Sequence, residues 1–366
     1  MKIVVIGTRG IPDILGGVET HCEELFPRIA AMGHDVTIIR RTPYVTDNNR
    51  IASYKGVSLV DVPAPRKKSI EAIVHTFRAI LKARSLRPDV LHVHAIGPAL
   101  LIPLARLLGM KVVMTNHGPD YDRQKWGRLA KAVLRTGERM GTRFSNAVIV
   151  ISTVIASILR TRYGRTDTDL IFNGVNRPQK SDSTSWLESW GIAGKPYIVA
   201  IGRFVKEKGF HDLIEAYSKS PVKERYALVI AGDTDHEDDY SRTLKKQAAE
   251  AGAVLTGFIK GEKLNQLMTN ASLFVMPSYH EGLPIALLEA MSYDLDVVVS
   301  DIPANKLAIL KPDDFFPTGD TDALAAAIER KTATAHRPRT YNLSAYDWNK
   351  IAEQTVEVYK RVTDKR

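Results

Sequence analysis

The 366-residue chain is short of three things: cysteine, long apolar runs and a complete dinucleotide fingerprint. The lone cysteine, Cys22, excludes an internal disulfide and fits a reducing compartment. Its neighbour His21 does not make it a nucleophile, because adjacent helical residues point in different directions; Cys22 reads as an inert thiol. The most apolar stretch, 95–110, is broken by Pro98, Pro103 and Arg106. It is expected to be a buried helix, since a membrane span needs about 20 apolar residues. The run from Ile3 to Ile6 is too short for a secretion signal. No short repeat or low-complexity tract occurs.

What is there describes an ordinary globular protein, 44% hydrophobic and 25% charged, of a length that predicts two domains. Charge is unevenly spread. Residues 1–173 hold 26 Lys and Arg against 14 Asp and Glu, a balance of +12, while the remainder carries −2. A basic first half points to an anionic ligand or surface. Nucleic acid is not the expected partner, because the cations accompany no recognisable nucleic-acid module.

Both halves alternate apolar runs with amphipathic segments. In the first, strands are expected at 2–6, 35–39, 89–94, 111–115 and 146–151, with helices at 18–32, 70–83, 123–142 and 153–163. A polar stretch, 173–196, separates a second series with strands at 197–201, 227–231, 254–256, 273–276 and 296–300. Its helices are expected at 210–219, 240–250, 263–269, 284–292 and 321–330, and an amphipathic segment at 346–362 closes the chain. Continuous Val/Ile runs mark strands covered on both faces, as in parallel sheets. The fold class is therefore α/β, with two Rossmann-like doubly wound domains, 1–173 and 174–345, facing each other across a cleft. The segment 346–366 is expected to pack back on the first domain. Gly7-Thr8-Arg9-Gly10 lacks the rest of G-x-G-x-x-G, and Arg40-Arg41 stand where an acid would hold an NAD ribose. Arginines there suit NADP, which keeps an NADP-dependent reductase as an alternative.

Five segments carry candidate chemistry. Glu281 and Glu289 stand eight positions apart in His280–Glu289, with Gly282, Leu283 and Pro284 after the first. A strand precedes them and a helix opens near Pro284, so Glu281 lies on the loop at the sheet's carboxyl edge and Glu289 about a turn into the helix. Arg203 follows the first strand of the second half and Lys208 precedes its first helix; two cations on one such loop can hold a diphosphate. Gly16-Gly17 open the first long helix, where backbone N–H groups can meet an anion. His117, in Thr115-Asn116-His117-Gly118, stands at the carboxyl end of a strand. Gly257-Phe258 follow another strand, where exposed backbone can read a nucleobase edge.

This order of motifs, with Asn173-Gly174-Val175 between the halves, resembles the retaining glycosyltransferases of family 4, which have the GT-B fold. The resemblance covers nearly the whole chain. His117-Gly118-Pro119-Asp120 through Lys125-Trp126-Gly127 is similar to a subgroup that builds bacterial surface polysaccharides, rhamnosyltransferase-like members included. The resemblance implies a hexosyltransferase-type enzyme that moves a sugar from a nucleotide-diphosphate donor to a glycan acceptor, expected to be polyprenyl-linked. It implies a catalytic set of Arg203, Lys208, His117 and Glu281. Arg203 and Lys208 neutralise the leaving diphosphate, while Glu281 and the backbone from Gly282 to Pro284 hold the sugar's hydroxyls. His117 contacts the sugar, Glu289 the ribose, and Gly16-Gly17 the phosphate and acceptor side. The family's retention is usually explained by front-face attack, in which the leaving phosphate takes the acceptor proton. No general base is then required, and Glu281 as nucleophile is the alternative.

No cofactor and no metal are expected. Asp120/Asp122 and Asp233/Asp235 form Asp-x-Asp pairs, which arise easily in an acid-rich chain. Residues 123–144 place Trp126, Leu129, Val133, Met140 and Phe144 on an apolar stripe and Arg128, Lys131, Arg135 and Arg139 on another face. With Arg66-Lys67-Lys68 and 70–84, they suggest a cytoplasmic protein lying peripherally on an anionic membrane surface. A non-catalytic nucleotide-sugar-binding protein would use the same residues.

Overall fold

Apolar residues on both faces of each central strand force helices onto both sides of two sheets. The computed structural model describes residues 1–14, 16–65, 70–122, 127–234, 237–282, 284–307, 309–333 and 338–364. The chain divides into two compact units, Met1–Gly174 with Ala345–Arg366, and Val175–Ser344.

The first unit carries β1 (Lys2–Ile6), α1 (Gly17–Ala31), β2 (Asp35–Arg41), β3 (Ser53–Tyr54), β4 (Val57–Val62), α2 (Glu71–Leu86), β5 (Val90–His94), α3 (Ile96–Ala99) and α4 (Ile102–Leu107). It continues with β6 (Val112–Asn116), α5 (Arg128–Phe144), β7 (Ala147–Val150), α6 (Thr153–Tyr163) and β8 (Thr168–Leu170). The second unit holds α7 (Ser185–Ser189), β9 (Tyr197–Ile201), α8 (Phe210–Lys219), β10 (Ala227–Ala231), α9 (Asp239–Glu250) and β11 (Val254–Gly257). After these come α10 (Glu262–Asn270), β12 (Leu273–Met276), α11 (Ile285–Ser292), β13 (Val297–Ser300), β14 (Phe315–Phe316) and α12 (Thr321–Thr332). The last helix, α13 (Trp348–Asp364), belongs to the first unit.

The first sheet runs β3-β4-β2-β1-β5-β6-β7-β8 and the second β11-β10-β9-β12-β13-β14. All pairings are parallel except β3 with β4. That hairpin turns at Lys55-Gly56, both at positive φ (44° and 84°), the backbone of a two-residue type I′ loop. Strand order reverses at β1/β5 in one sheet and β9/β12 in the other, and ligands of such sheets bind outside the carboxyl ends at these points.

Alternate residues of β1 serve two cores. Ile3 and Val5 pack with α1 and α13 through Leu25, Phe26, Trp348 and Tyr359. Val4 and Ile6 pack on the opposite layer with Ile80, Ile96 and Ile102. In the second unit Ile198 and Ala200 lie in a core with Phe210, Leu213 and Leu324.

Several expectations need correction. The apolar stretch 95–110 is not one helix: Pro98 and Pro103 fall in two short ones, and Leu107 at the end of α4 is 88% exposed. The helix expected over 123–142 is observed as α5, and its apolar stripe is not the face it packs. α5 buries Gly137, Glu138, Gly141 and Thr142, and a Cβ at Gly137 or Gly141 would collide with the Ile96 carbonyl or the Met114 side chain. Small residues thus let α3 and the sheet approach, while Leu129 and Phe144 stay 81% and 41% exposed. Trp126, Arg123 and Lys125 lie outside the described residues, as do Arg66, Lys67 and Lys68. The polar stretch 173–196 contains a helix, α7, and β3, β4, β8 and β14 were not anticipated.

Candidate active site

Two loops of the second unit meet at its switch point. The loop after β9 carries Arg203 and Lys208, and the loop after β12 carries Ser278, Glu281 and Gly282. Gly209 makes their meeting possible. It sits at φ +65°, which disfavours a side chain, and a Cβ there would strike the Pro277 carbonyl. The Tyr279 N–H donates to Glu207 O at 2.8 Å, tying the two loops together. Lys208 Nζ then reaches Glu281 Oε1 at 2.5 Å, and Ser278 Oγ donates to the same oxygen at 2.7 Å. Burial would raise the Glu281 carboxyl, but the charge and hydrogen bond of Lys208, with Ser278, outweigh it and hold the group below its ordinary value. Behind it, Ser300 Oγ donates to Ser278 O at 2.5 Å, and Asn305 Nδ2 to Ser300 O at 3.0 Å.

Pro284, the expected helix start, is instead the N-cap of α11, which begins one residue later at Ile285, and Glu289 is its fifth residue. The carboxyl-edge strand β11 ends in Gly257 at φ +69°, whose carbonyl accepts from Gly232 N at 2.9 Å. Phe258 follows with its ring 49% exposed and Lys260 Nζ 5.9 Å from its centroid. Arg203, Lys208, Glu281, Gly282, Pro284, Glu289, Gly257 and Phe258 all belong to the second unit. Leu283 lies outside the described residues.

His117, Gly16 and Gly17 belong to the first unit. Gly16 is the N-cap of α1, and its Cβ position is filled by the Glu19 carboxylate. Glu19 Oε1 accepts from Arg9 N at 2.9 Å and Thr8 Oγ1 at 3.2 Å. An acid of the chain thus occupies donors of the loop expected to face phosphate. His117 extends β6 and joins a histidine array that sequence reasoning missed. Its Nε2 lies 2.9 Å from His94 Nδ1. The register pairs His92 with Val5, so His92 and His94 face α1 and α13. There His92 Nδ1 meets Tyr359 OH at 2.6 Å and Nε2 meets Thr115 Oγ1 at 2.7 Å. His21 Nδ1 meets Asn173 Oδ1 at 2.8 Å. Burial pushes His21 down to about 4 and His92 to about 3, and lowers His94 and His117 well below the ordinary imidazole range. All four rings are neutral at neutral pH. The signal was the His92-x-His94 spacing, which puts two polar rings on one face of a central strand.

Glu138 was also missed. Fully buried on α5, it accepts from Asn116 Nδ2 at 3.2 Å, Tyr121 OH at 2.9 Å and Tyr163 OH at 2.8 Å. Asn116 Oδ1 in turn accepts from Gly118 N at 2.9 Å, which fixes the loop carrying His117. Arg40 and Arg41 are committed elsewhere. Arg40 pairs with Asp61 at 2.7 Å and donates to carbonyls of Ile11, Asn49 and Ile51, while Arg41 pairs with Glu71 at 3.0 Å. Neither guanidinium is set out for an NADP phosphate. Cys22 is buried, and burial raises its thiol.

The family model for glycosyl transferases group 1 matches residues 182–342, and that for Glycosyltransferase Family 4 matches residues 15–178. Each half of the chain thus matches a glycosyltransferase family model, one for each unit. The chain is 26% identical to an uncharacterised glycosyltransferase of Methanocaldococcus jannaschii over 98% of both chains. Its fold is GT-B. A sucrose-phosphate synthase from Thermosynechococcus elongatus superposes with a TM-score of 0.84 at 21% identity, over 99% of this chain and 98% of that one. Anabaena HepE in complex with UDP gives 0.76 at 18% identity, over 99% of this glycosyltransferase and 100% of HepE.

Proposed function

We propose that the chain is a retaining glycosyltransferase that moves a sugar from a nucleotide-diphosphate donor to a lipid-linked glycan in bacterial surface-polysaccharide synthesis. The observation that carries this reading is the Lys208–Glu281–Ser278 cluster at the switch point of the second sheet. Cleaving the anomeric bond makes the sugar oxocarbenium-like and builds negative charge on the leaving diphosphate. Lys208, with Arg203 on the same loop, meets that charge; preorganised donors of this kind contribute about 10²–10³ in rate each. Glu281, kept ionised by Lys208, accepts from the sugar's hydroxyls, and Glu289 from the ribose. Exposed Phe258 offers a stacking surface to the base. The UDP held by HepE, a protein of the same fold, supports a nucleoside diphosphate as the common element. His117, a neutral ring, hydrogen-bonds the sugar without adding a competing positive charge. No metal and no dedicated base enter the scheme, since the leaving phosphate takes the acceptor proton.

A membrane-borne acceptor is supported by an exposed apolar face. On and beside α2, Ile70, Ile73, Phe77 and Leu81 recur at helical spacing and are 40–47% exposed. Arg78, Lys82 and Arg84 are exposed among them, as Arg128, Arg135 and Arg139 are on α5 beside Leu129. Such a face suits the headgroup region of an anionic bilayer at the inner side of the cell membrane. Among the described residues no helix is long and apolar enough to cross a membrane.

Titration calorimetry against UDP, GDP, dTDP and NADP tests the reading. One nucleoside diphosphate is expected to bind, with Arg203→Ala and Glu289→Ala each weakening it; turnover with the matching donor then separates an enzyme from a non-catalytic binder. Binding of NADP alone would sink the transferase reading.

A further inference from the structure

Three imidazoles of the first unit converge. One ring nitrogen each of His21, His94 and His117 lies within 4.8 Å of the other two. His21 and His94 are buried, at 3% and 0% exposure. The Asn173 amide oxygen can only accept, so His21 Nδ1, 2.8 Å away, carries its ring's proton and Nε2 is a bare lone pair. No hydrogen-bond donor meets that buried lone pair. His94 Nε2 is likewise buried without a partner, while its Nδ1 shares a hydrogen bond with His117. Leaving a buried polar atom unmet costs about 1–3 kcal/mol, so two in one cluster call for an occupant.

We propose that His21, His94 and His117 form a binding site for a divalent transition-metal ion of the zinc type, with a fourth position open. Three neutral nitrogens and no carboxylate are the ligand set that such ions accept and that magnesium or calcium does not. Asn173 acts as the outer partner that fixes the His21 tautomer and ring orientation. Zinc–nitrogen bonds of about 2.0–2.1 Å in a tetrahedron put ligand nitrogens about 3.3 Å apart. With all pairs inside 4.8 Å, none has to close by more than about 1.5 Å. The His94–His117 hydrogen bond is given up in exchange, which limits affinity.

The ion is no cofactor of the transfer. Resting on the assignment of His117 to the donor sugar, it inhibits: a ring nitrogen held by metal no longer has a lone pair to accept from a sugar hydroxyl, so zinc and donor compete for it.

The test uses the full chain, stripped with chelator and titrated with Zn²⁺ against a chromophoric chelator, with Co²⁺ as a spectroscopic probe. One ion per chain is expected, with the visible bands of a tetrahedral nitrogen-ligated Co²⁺ site. His21→Gln and His94→Gln should each weaken Zn²⁺ binding by roughly 30-fold or more, and His34→Gln, on a remote ring, should not. If either ligand variant fails to fold, Asn173→Ala, which removes only the outer partner, should weaken binding about tenfold. Failure to retain one equivalent, or affinity unchanged in the variants, overturns the site and leaves the orphan nitrogens to buried water. UDP titration of the same metal-free protein reads the transferase reading separately. Its failure there would leave the metal count untouched.

Discussion

The two units hold their candidate residues in opposite electrostatic styles. The second unit places an ion pair at its switch point, Lys208 on Glu281, and uses the charge of one to keep the other ionised. The first places four histidines there and uses burial to strip their charge. The difference follows from the elements that carry them. Lys208 and Glu281 sit on loops, with side chains 22% and 11% exposed, so solvent still shares the cost of ionisation. His92 and His94 sit inside a strand covered on both faces, where a charge would be far costlier. Under the proposed function, charge in the second unit would meet the leaving diphosphate and neutral hydrogen bonds in the first would meet the sugar.

Breaking the charged half should have the largest effect. Lys208→Ala removes the cation and leaves the largely buried Glu281 without it, so kcat/KM is expected to fall about 10³-fold, with Tm also lowered. The double variant Lys208→Met with Glu281→Met should recover Tm but no turnover, which separates folding from chemistry; recovery of turnover would remove the pair from the mechanism. Gly209→Ala comes next. It touches no candidate group, yet it forces a Cβ against Pro277 and pushes the Lys208 loop off the Glu281 loop. A displacement of this size is expected to lower kcat by about 10- to 100-fold, and an unchanged kcat would mean the loops need not be locked. Phe258→Ala should weaken nucleotide binding by about tenfold, the worth of one stacked base, while leaving kcat near wild type.

The same contrast explains what the sequence disclosed. Strands Lys2–Ile6, Tyr197–Ile201, Ala227–Ala231 and Leu273–Met276 have the bounds that apolar runs predict, because both their faces are buried. Helix Thr153–Tyr163 is equally legible: Ser152 caps its start by accepting from Ile155 N, and Gly164 ends it at φ +69°. Elements at or next to a sheet edge are not legible in this way. β4 reads Val-Ser-Leu-Val-Asp-Val, part polar, and β8 is Thr-Asp-Leu; neighbours along the sheet, absent from the local pattern, make them strands. The charged cluster of the second unit was readable because cations and acids on loops need a reason. The neutral cluster of the first unit was not, because a histidine alone is ambiguous, and only β5, α1 and β6 packed together reveal that His21, His92, His94 and His117 share one place. Glu19 shows the reverse: the glycines before it were legible, and the acid that fills their loop was not.

Acid should separate the two units. His21 and His92 have folded pKa values of about 4 and 3, below the ordinary 6.5, so below pH 6.5 the unfolded chain takes up more protons than the folded one. Their contribution is complete above 6.5 and is lost as pH falls towards 4. Glu281, depressed from 4.5, keeps its contribution until pH drops below that value. Between pH 6.5 and 5, hydrogen exchange in β5 and β6 should therefore accelerate while β9 and β12 hold. His92→Phe is expected to flatten that response at some loss of stability at pH 7, because Tyr359 and Thr115 lose their partner. Equal acceleration in both sheets would mean that the histidines are not what makes the first unit acid-sensitive.

The smallest effect concerns a surface and leaves both clusters alone. Phe77→Ser with Leu81→Ser takes two exposed apolar side chains from α2 and no packed ones, so Tm should move little. Flotation with vesicles of anionic lipid should fall roughly tenfold, since each of these half-exposed side chains withdrawn from the interface forfeits about 0.7 kcal/mol of burial. Turnover on a water-soluble acceptor should be unchanged, while turnover on a polyprenyl-linked acceptor in vesicles falls with the flotation. Had the stripe been an interface with a second copy of the chain, the same variant would shift the oligomeric state in the absence of lipid. Sedimentation without vesicles therefore decides which partner the apolar face of the basic unit is built for.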